Sequence, residues 1–162
     1  MIHRFFALLV LGCCLWTSPA VQAQPKDIPK DIPKDIPIAP DVVVEAPAAD
    51  IPKELAVFSG RWFGPYLGVK TGSYMSDALI IVEKISSPTA VQVFHAGVWR
   101  FGAVSGQPWG YRVNANFVDG VLKFKIGDRV VVDCKLNSDG TMSVMYTAGD
   151  GANRGTFRLI TN

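Results

Sequence analysis

The segment Tyr111-Arg112-Val113-Asn114-Ala115-Asn116-Phe117-Val118-Asp119-Gly120-Val121-Leu122-Lys123-Phe124-Lys125-Ile126 decides how this chain folds. Tyr111, Val113, Ala115 and Phe117 alternate with Arg112, Asn114 and Asn116, the period of a strand with one face in a core and the other in water. Asp119-Gly120 tolerates positive φ at both central turn positions, which gives the twist that a tight hairpin needs. Leu122, Phe124 and Ile126 then resume the apolar face on the return. A β-hairpin is the first expectation.

The same period continues outward. After a reversal at Gly127-Asp128, Val130, Val132, Cys134 and Leu136 share a face, so the Cys134 thiol is expected in the core as packing rather than as a nucleophile. Asn137 to Gly140 turns the chain into Met142, Val144 and Tyr146, and a last strand runs from Thr156 to Ile160. Upstream, Leu79 to Ile85 and Thr89 to His95 make two strands, and Arg61 to Gly64 a first. No stretch carries the three-and-four apolar spacing of a ten-residue helix. Eight sequential antiparallel strands with no covering helix hide their edges completely by closing. The expected fold is all-β, an up-and-down eight-stranded antiparallel barrel over residues 55–162, with a β-sandwich as the alternative.

What precedes the barrel differs in kind. Residues 1–23 begin with Arg4, continue as an apolar run from Phe5 to Trp16 and end in small residues around Val21 and Ala23, the layout of a secretory signal peptide cut after Ala23. That run is too short to span a bilayer. An alternative use of the same segment ends at Cys13, which would be acylated as in bacterial lipoproteins, the one membrane link expected. Residues 24–54 repeat Pro-Lys-Asp-Ile from Pro25, Pro29 and Pro33 before drifting into a Pro-rich and Ala-rich tract. Prolines at this density forbid helix and central strand, so a disordered spacer is expected, with Val42 to Val44 as the one place that could add to a sheet edge. The protein is expected to be periplasmic or secreted, and tethered to the envelope if lipidated.

The chain has 16 basic and 14 acidic residues, a net charge of +2 that argues against a nucleic-acid partner. Outside the leader it has a single cysteine and a single histidine, Cys134 and His95, too few for a thiolate metal site. His95 shares parity with Val91 and Val93 and is expected to point inward. Asp119, Asp128 and Asp139 each precede or adjoin glycine and read as turn residues. Neither a catalytic constellation nor a phosphate-loop or dinucleotide signature is present, so no enzyme activity, cofactor or metal is expected.

Gly60-Arg61-Trp62 on the first strand, with Arg158 on the last, resembles the signature of the calycin group, the lipocalin and avidin-like barrels. The resemblance implies that Trp62 closes one end of the barrel and that Arg158 packs across it, and on that basis the two are expected to touch. It also suggests, through the small periplasmic barrels that inhibit secreted proteases, one form that function could take.

Alternate connections of such a barrel emerge at the same end. One end has short turns, whereas Gly64 to Asp77, Ala96 to Gly110 and Thr147 to Gly155 read as three long loops at the other, where recognition is expected. Tyr66, Tyr74, Trp99, Phe101 and Trp109 supply aromatic surface there, and Lys70, Arg100 and Arg154 supply charge. Two readings stand side by side: a recognition surface for a protein or envelope component, or Trp99 and Trp109 folding back as a plug. A carrier holding a small apolar ligand inside the barrel is the alternative function.

Overall fold

The computed structural model describes residues 32–149 and 151–161. Eight strands, β1 (Gly60–Gly68), β2 (Tyr74–Ser87), β3 (Ala90–Trp99), β4 (Pro108–Val118), β5 (Val121–Ile126), β6 (Val130–Leu136), β7 (Met142–Ala148) and β8 (Gly151–Ile160), pair in sequence order, and β8 returns to β1. Every pair is antiparallel and the barrel is closed, the general shape of the calycin barrels. The hairpin of β4 and β5 closes with Val118 opposite Val121, and Asp119 and Gly120 take φ of 51° and 75°. Inside, Trp62, Tyr66, Ile80, Leu122, Met142 and Phe157 are fully buried, and so is Cys134, in the expected register.

The strands run further than their apolar alternation indicates. Gly64, Gly97, Gly110 and Gly155 read as turn residues but lie within β1, β3, β4 and β8. A Cβ at Gly64 would come within 2.5 Å of the Thr156 carbonyl oxygen, and one at Gly155 within 2.5 Å of both the Pro65 carbonyl oxygen and the Phe157 ring. These glycines are gaps for close strand approach and for a large ring. Of the three long loops expected, the first shrinks accordingly to 69–73 and the last to the short link between β7 and β8. Only 100–107 remains extended, around a 3-10 turn at Gly102–Val104.

The short-turn end is closed by the chain that enters it. A single helical turn, α1 (Lys53–Ala56), directs Leu55 into the barrel base, and Ile51 and Phe58 join the same core. Phe58 meets Phe117 edge-on at 5.1 Å, and the Trp62 indole N–H donates to the Phe58 carbonyl at 2.8 Å. Trp62 therefore seals this end from the inner face. The register sets Phe63 opposite Arg158, and inward-facing Phe157 puts its neighbour Arg158 on the exposed outer surface. A strand's side chains alternate between faces, so paired strands do not bring a residue of one parity to a residue of the other. Gly60 has its own reason: φ is 129°, and a Cβ there would meet Leu159 at 2.8 Å.

The second correction concerns the spacer. Residues 32–50 contain no strand or helix, as their prolines require, but they are not unpacked. Ile32 and Ile36, each 4% exposed, and Val42 cluster with Leu79, Ile81, Phe94, Ala96 and Val98 on the outer face of β2 and β3. Salt bridges pin the strap at Arg100–Asp35, Arg112–Asp41 and Lys84–Glu45. Glu83 lies where the β2–β3 register shifts, and its carbonyl accepts from the Glu45 N–H at 2.7 Å. That single bond replaces the strand considered for Val42 to Val44, since a closed barrel offers no edge on β2. The spacer packs because the outer wall of β2 and β3 is as apolar as its inner wall. Residues 1–31, on which the signal-peptide and Cys13 readings fall, lie outside the described residues.

Candidate functional site

With the short-turn end sealed, the opposite end is where the interior approaches solvent. β5 pairs only with Ala115 to Val118 of β4, whereas β3 pairs with β4 all the way from Ala115 to Pro108. The upper half of β4 is thus unpaired on its β5 side, a notch in the hydrogen-bonded ladder at which Trp109 and Tyr111 stand. Trp109 stacks on Tyr111 at 6.2 Å and 25°, lies 6.0 Å from Trp99, and meets the His95 ring at 4.7 Å. Gly97 makes this possible, because a Cβ there would come within 2.4 Å of the Trp109 ring.

The residues expected at this end divide into three groups. Tyr66 and Trp109 belong to the interior: Tyr66 is fully buried, and Trp109 is half-buried against the core. Trp99 and Arg100 are intermediate, at the top of β3. Tyr74, Phe101, Lys70 and Arg154 are exposed, with Tyr74 at 44% and Phe101 at 52%. Arg154 stands apart, lining an outer groove of about 520 Å³ with Pro65, Leu67 and Met145. Val69 and Val104 are further exposed apolar residues at the same end that loop length did not single out, and Tyr111, which alternation set on the core face, is 46% exposed because its stretch of β4 is unpaired on its β5 side.

Arg100 organises the rim. Its Nε donates to Asp77 at 2.8 Å, while its two terminal nitrogens donate to the two Asp35 oxygens at 2.7 and 3.1 Å. Tyr74 hydroxyl donates to the other Asp77 oxygen. Arg100 also donates its backbone N–H to the Met75 carbonyl at 2.8 Å, so the loop that begins with Phe101 starts from a fixed point. Desolvation first and the Asp77 carboxylate second push the Tyr74 phenol up to about 12. The guanidinium in turn holds the Asp35 carboxyl below its ordinary range. One bidentate arginine therefore joins strap, sheet and loop.

Below the rim the interior is polar at a few points only. His95 is fully buried, shares a 3.3 Å hydrogen bond between Nε2 and the Tyr66 hydroxyl, and is pushed by burial down to about 3. Its Nδ1, the Ser76 hydroxyl and the Trp109 indole nitrogen are buried without a partner among the described residues. Burial also raises the Tyr66 phenol and the Cys134 thiol, so neither ionises near neutrality. A neutral imidazole bonded to a phenol, with no described carboxylate bonded to it, lacks the orienting third member of a nucleophilic triad. No protein-family model matches the chain, and no curated protein or solved structure matches it either.

Proposed function

We propose that this chain is an exported, non-catalytic binding module that recognises a protein or envelope component at the notched end of its barrel. The observation that carries the reading is the asymmetry of the two ends. One is sealed by Ile51, Leu55, Phe58 and Trp62, and the other presents Tyr74, Phe101, Val104 and Tyr111 to solvent on a braced frame. Exposed aromatics held rigid by a buried shell lose little entropy on docking and supply apolar area. Arg100 is already committed to Asp35 and Asp77, so its part is to hold the loop rather than to seek a carboxylate on the partner.

A small apolar ligand inside the barrel fits less well, because Tyr66, Leu122, Met142 and Phe157 fill the space such a ligand would need. Inhibition of a secreted protease is one form the proposed recognition can take. The test is capture of partners from an envelope extract by the immobilised full chain, with Phe101→Ser/Val104→Ser as control. A tenfold or greater loss of a specific captured protein in the double variant is expected. Equal capture by both, or a small apolar molecule retained by the wild-type chain in native mass spectrometry, would overturn the reading.

A further inference from the structure

The strap is held through a short pattern that the chain contains twice. The described occupant of the groove on β2 and β3 is Ile32-Pro33-Lys34-Asp35-Ile36-Pro37. Ile32 and Ile36 are its buried anchors, and Asp35 takes the two-pronged bond from Arg100. The Ile36 N–H donates to the Pro33 carbonyl at 3.1 Å, so the Pro33-Lys34-Asp35-Ile36 unit forms one turn that returns Ile36 to the wall. Pro37 approaches Gly110, where a built Cβ would lie 3.7 Å from its ring. Lys34 is exposed and is not part of what the groove reads.

Ile28-Pro29-Lys30-Asp31-Ile32-Pro33 is identical in all six positions. We propose that the groove is a docking site for this repeated hexapeptide, and that the upstream copy takes the place of the resident one when the strap slips by four residues. Ile28 and Ile32 then fill the two apolar positions, Asp31 takes Arg100, and Pro33 faces Gly110. The slipped strap bulges by four residues between Pro33 and the anchors at Val42 and Asp41, which keep their contacts with the wall and Arg112. Loop-closure entropy rises slowly with length, so a bulge of this size disfavours the slipped register without forbidding it. A further slip of four would place Gln24 where the groove takes an isoleucine, so two registers are complete and the third is not. Each slip draws the chain four residues further along the wall. Because Arg100 stays paired in both registers, the Asp77 and Tyr74 side of the rim is the same in each.

Limited trypsin digestion of the full chain distinguishes the registers, because Lys34 sits in the docked turn of one and Lys30 in that of the other. Each cleavage rate is divided by that of the same bond in a free peptide of residues 24–45 carrying the same substitution. In the wild-type protein, cleavage after Lys34 is expected to be slowed at least tenfold and that after Lys30 to be near the free rate. Asp35→Asn is expected to reverse the pattern, freeing Lys34 and slowing Lys30, and Asp31→Asn/Asp35→Asn is expected to free both. The barrel's integrity is checked in each variant by the inaccessibility of Cys134 to a thiol reagent. If Asp35→Asn alone frees both bonds, the upstream copy does not dock. If it leaves Lys34 as slow as in the wild type, the groove does not read the aspartate. Either result overturns the proposal.

Discussion

The wall formed by β2 and β3 and the wall formed by β6 and β7 belong to one barrel and follow different plans. In β6 and β7 the side chains alternate: Val132, Cys134, Met142 and Val144 are buried, while Val131, Lys135, Ser143 and Met145 are exposed. In β2 and β3 the runs Ala78 to Glu83 and Val93 to Val98 are buried without a break. An antiparallel strand with water on one side has no reason to carry Leu79, Ile81, Phe94, Ala96 and Val98 outward. The unbroken runs therefore announce a second layer, and the strap through Ile32, Ile36 and Val42 is that layer. The loss of alternation inside an otherwise alternating barrel is the signal for a covering segment.

The comparison breaks first, and most visibly, at Phe94. Its ring is buried under the strap with the Arg112 guanidinium 5.9 Å from its centroid. Phe94→Ala is expected to cost about 3–4 kcal/mol in urea unfolding, as for a core phenylalanine. A cost below about 1 kcal/mol would mean that the strap does not seal this wall in solution.

On the inner side of the same strand, His95 sharpens the contrast through pH. Its folded-state value of about 3 lies below the ordinary 6.5, so protonation favours the unfolded chain. The stabilisation is complete above about pH 6.5 and drains as pH falls toward 3, by roughly 3 kcal/mol between pH 7 and pH 4. Unfolding midpoints of the wild type and His95→Asn across this range give the answer. Equal acid sensitivity in the two would show that the imidazole is not held buried and neutral.

Arg112 tests whether charge or apolar contact pins the middle of the strap. It binds Glu83, whose carboxylate is nearly buried, at 2.9 and 3.1 Å, and reaches exposed Asp41 at 2.8 Å. Arg112→Met is expected to cost about 2 kcal/mol, chiefly by leaving Glu83 without its charge-assisted hydrogen bonds. Asp41→Asn, which leaves the buried Glu83 pair intact, is expected to cost under about 1 kcal/mol. Parity between the two would move the weight from the buried pair to the strap.

The smallest effect belongs to the bare wall. Met145→Ala on β7 is expected to change stability by less than about 0.5 kcal/mol, because its side chain is 41% exposed and nothing described covers it. A loss comparable to that of Phe94→Ala would show that the β7 wall is covered too, and the contrast between the walls would disappear.

Local chemistry by itself determined the strand period, the Asp119-Gly120 hairpin, the inward register of Cys134 and His95, and the closed eight-stranded order, because each follows from neighbours in the chain and from the cost of an open edge. It could also say that seven prolines between residues 24 and 54 forbid regular structure there. Only the tertiary structure decided that irregular chain is not unpacked chain, since whether Ile32 and Ile36 bury depends on an apolar wall formed by residues more than forty positions away. It likewise decided that Gly64, Gly97, Gly110 and Gly155 continue strands, because the rings and carbonyls that need those gaps come from other strands. Trp62 and Arg158 make the same point: pairing of the first and last strands was legible, but the side of the sheet on which each residue stands rests on one step of register that no local pattern at Arg158 supplies.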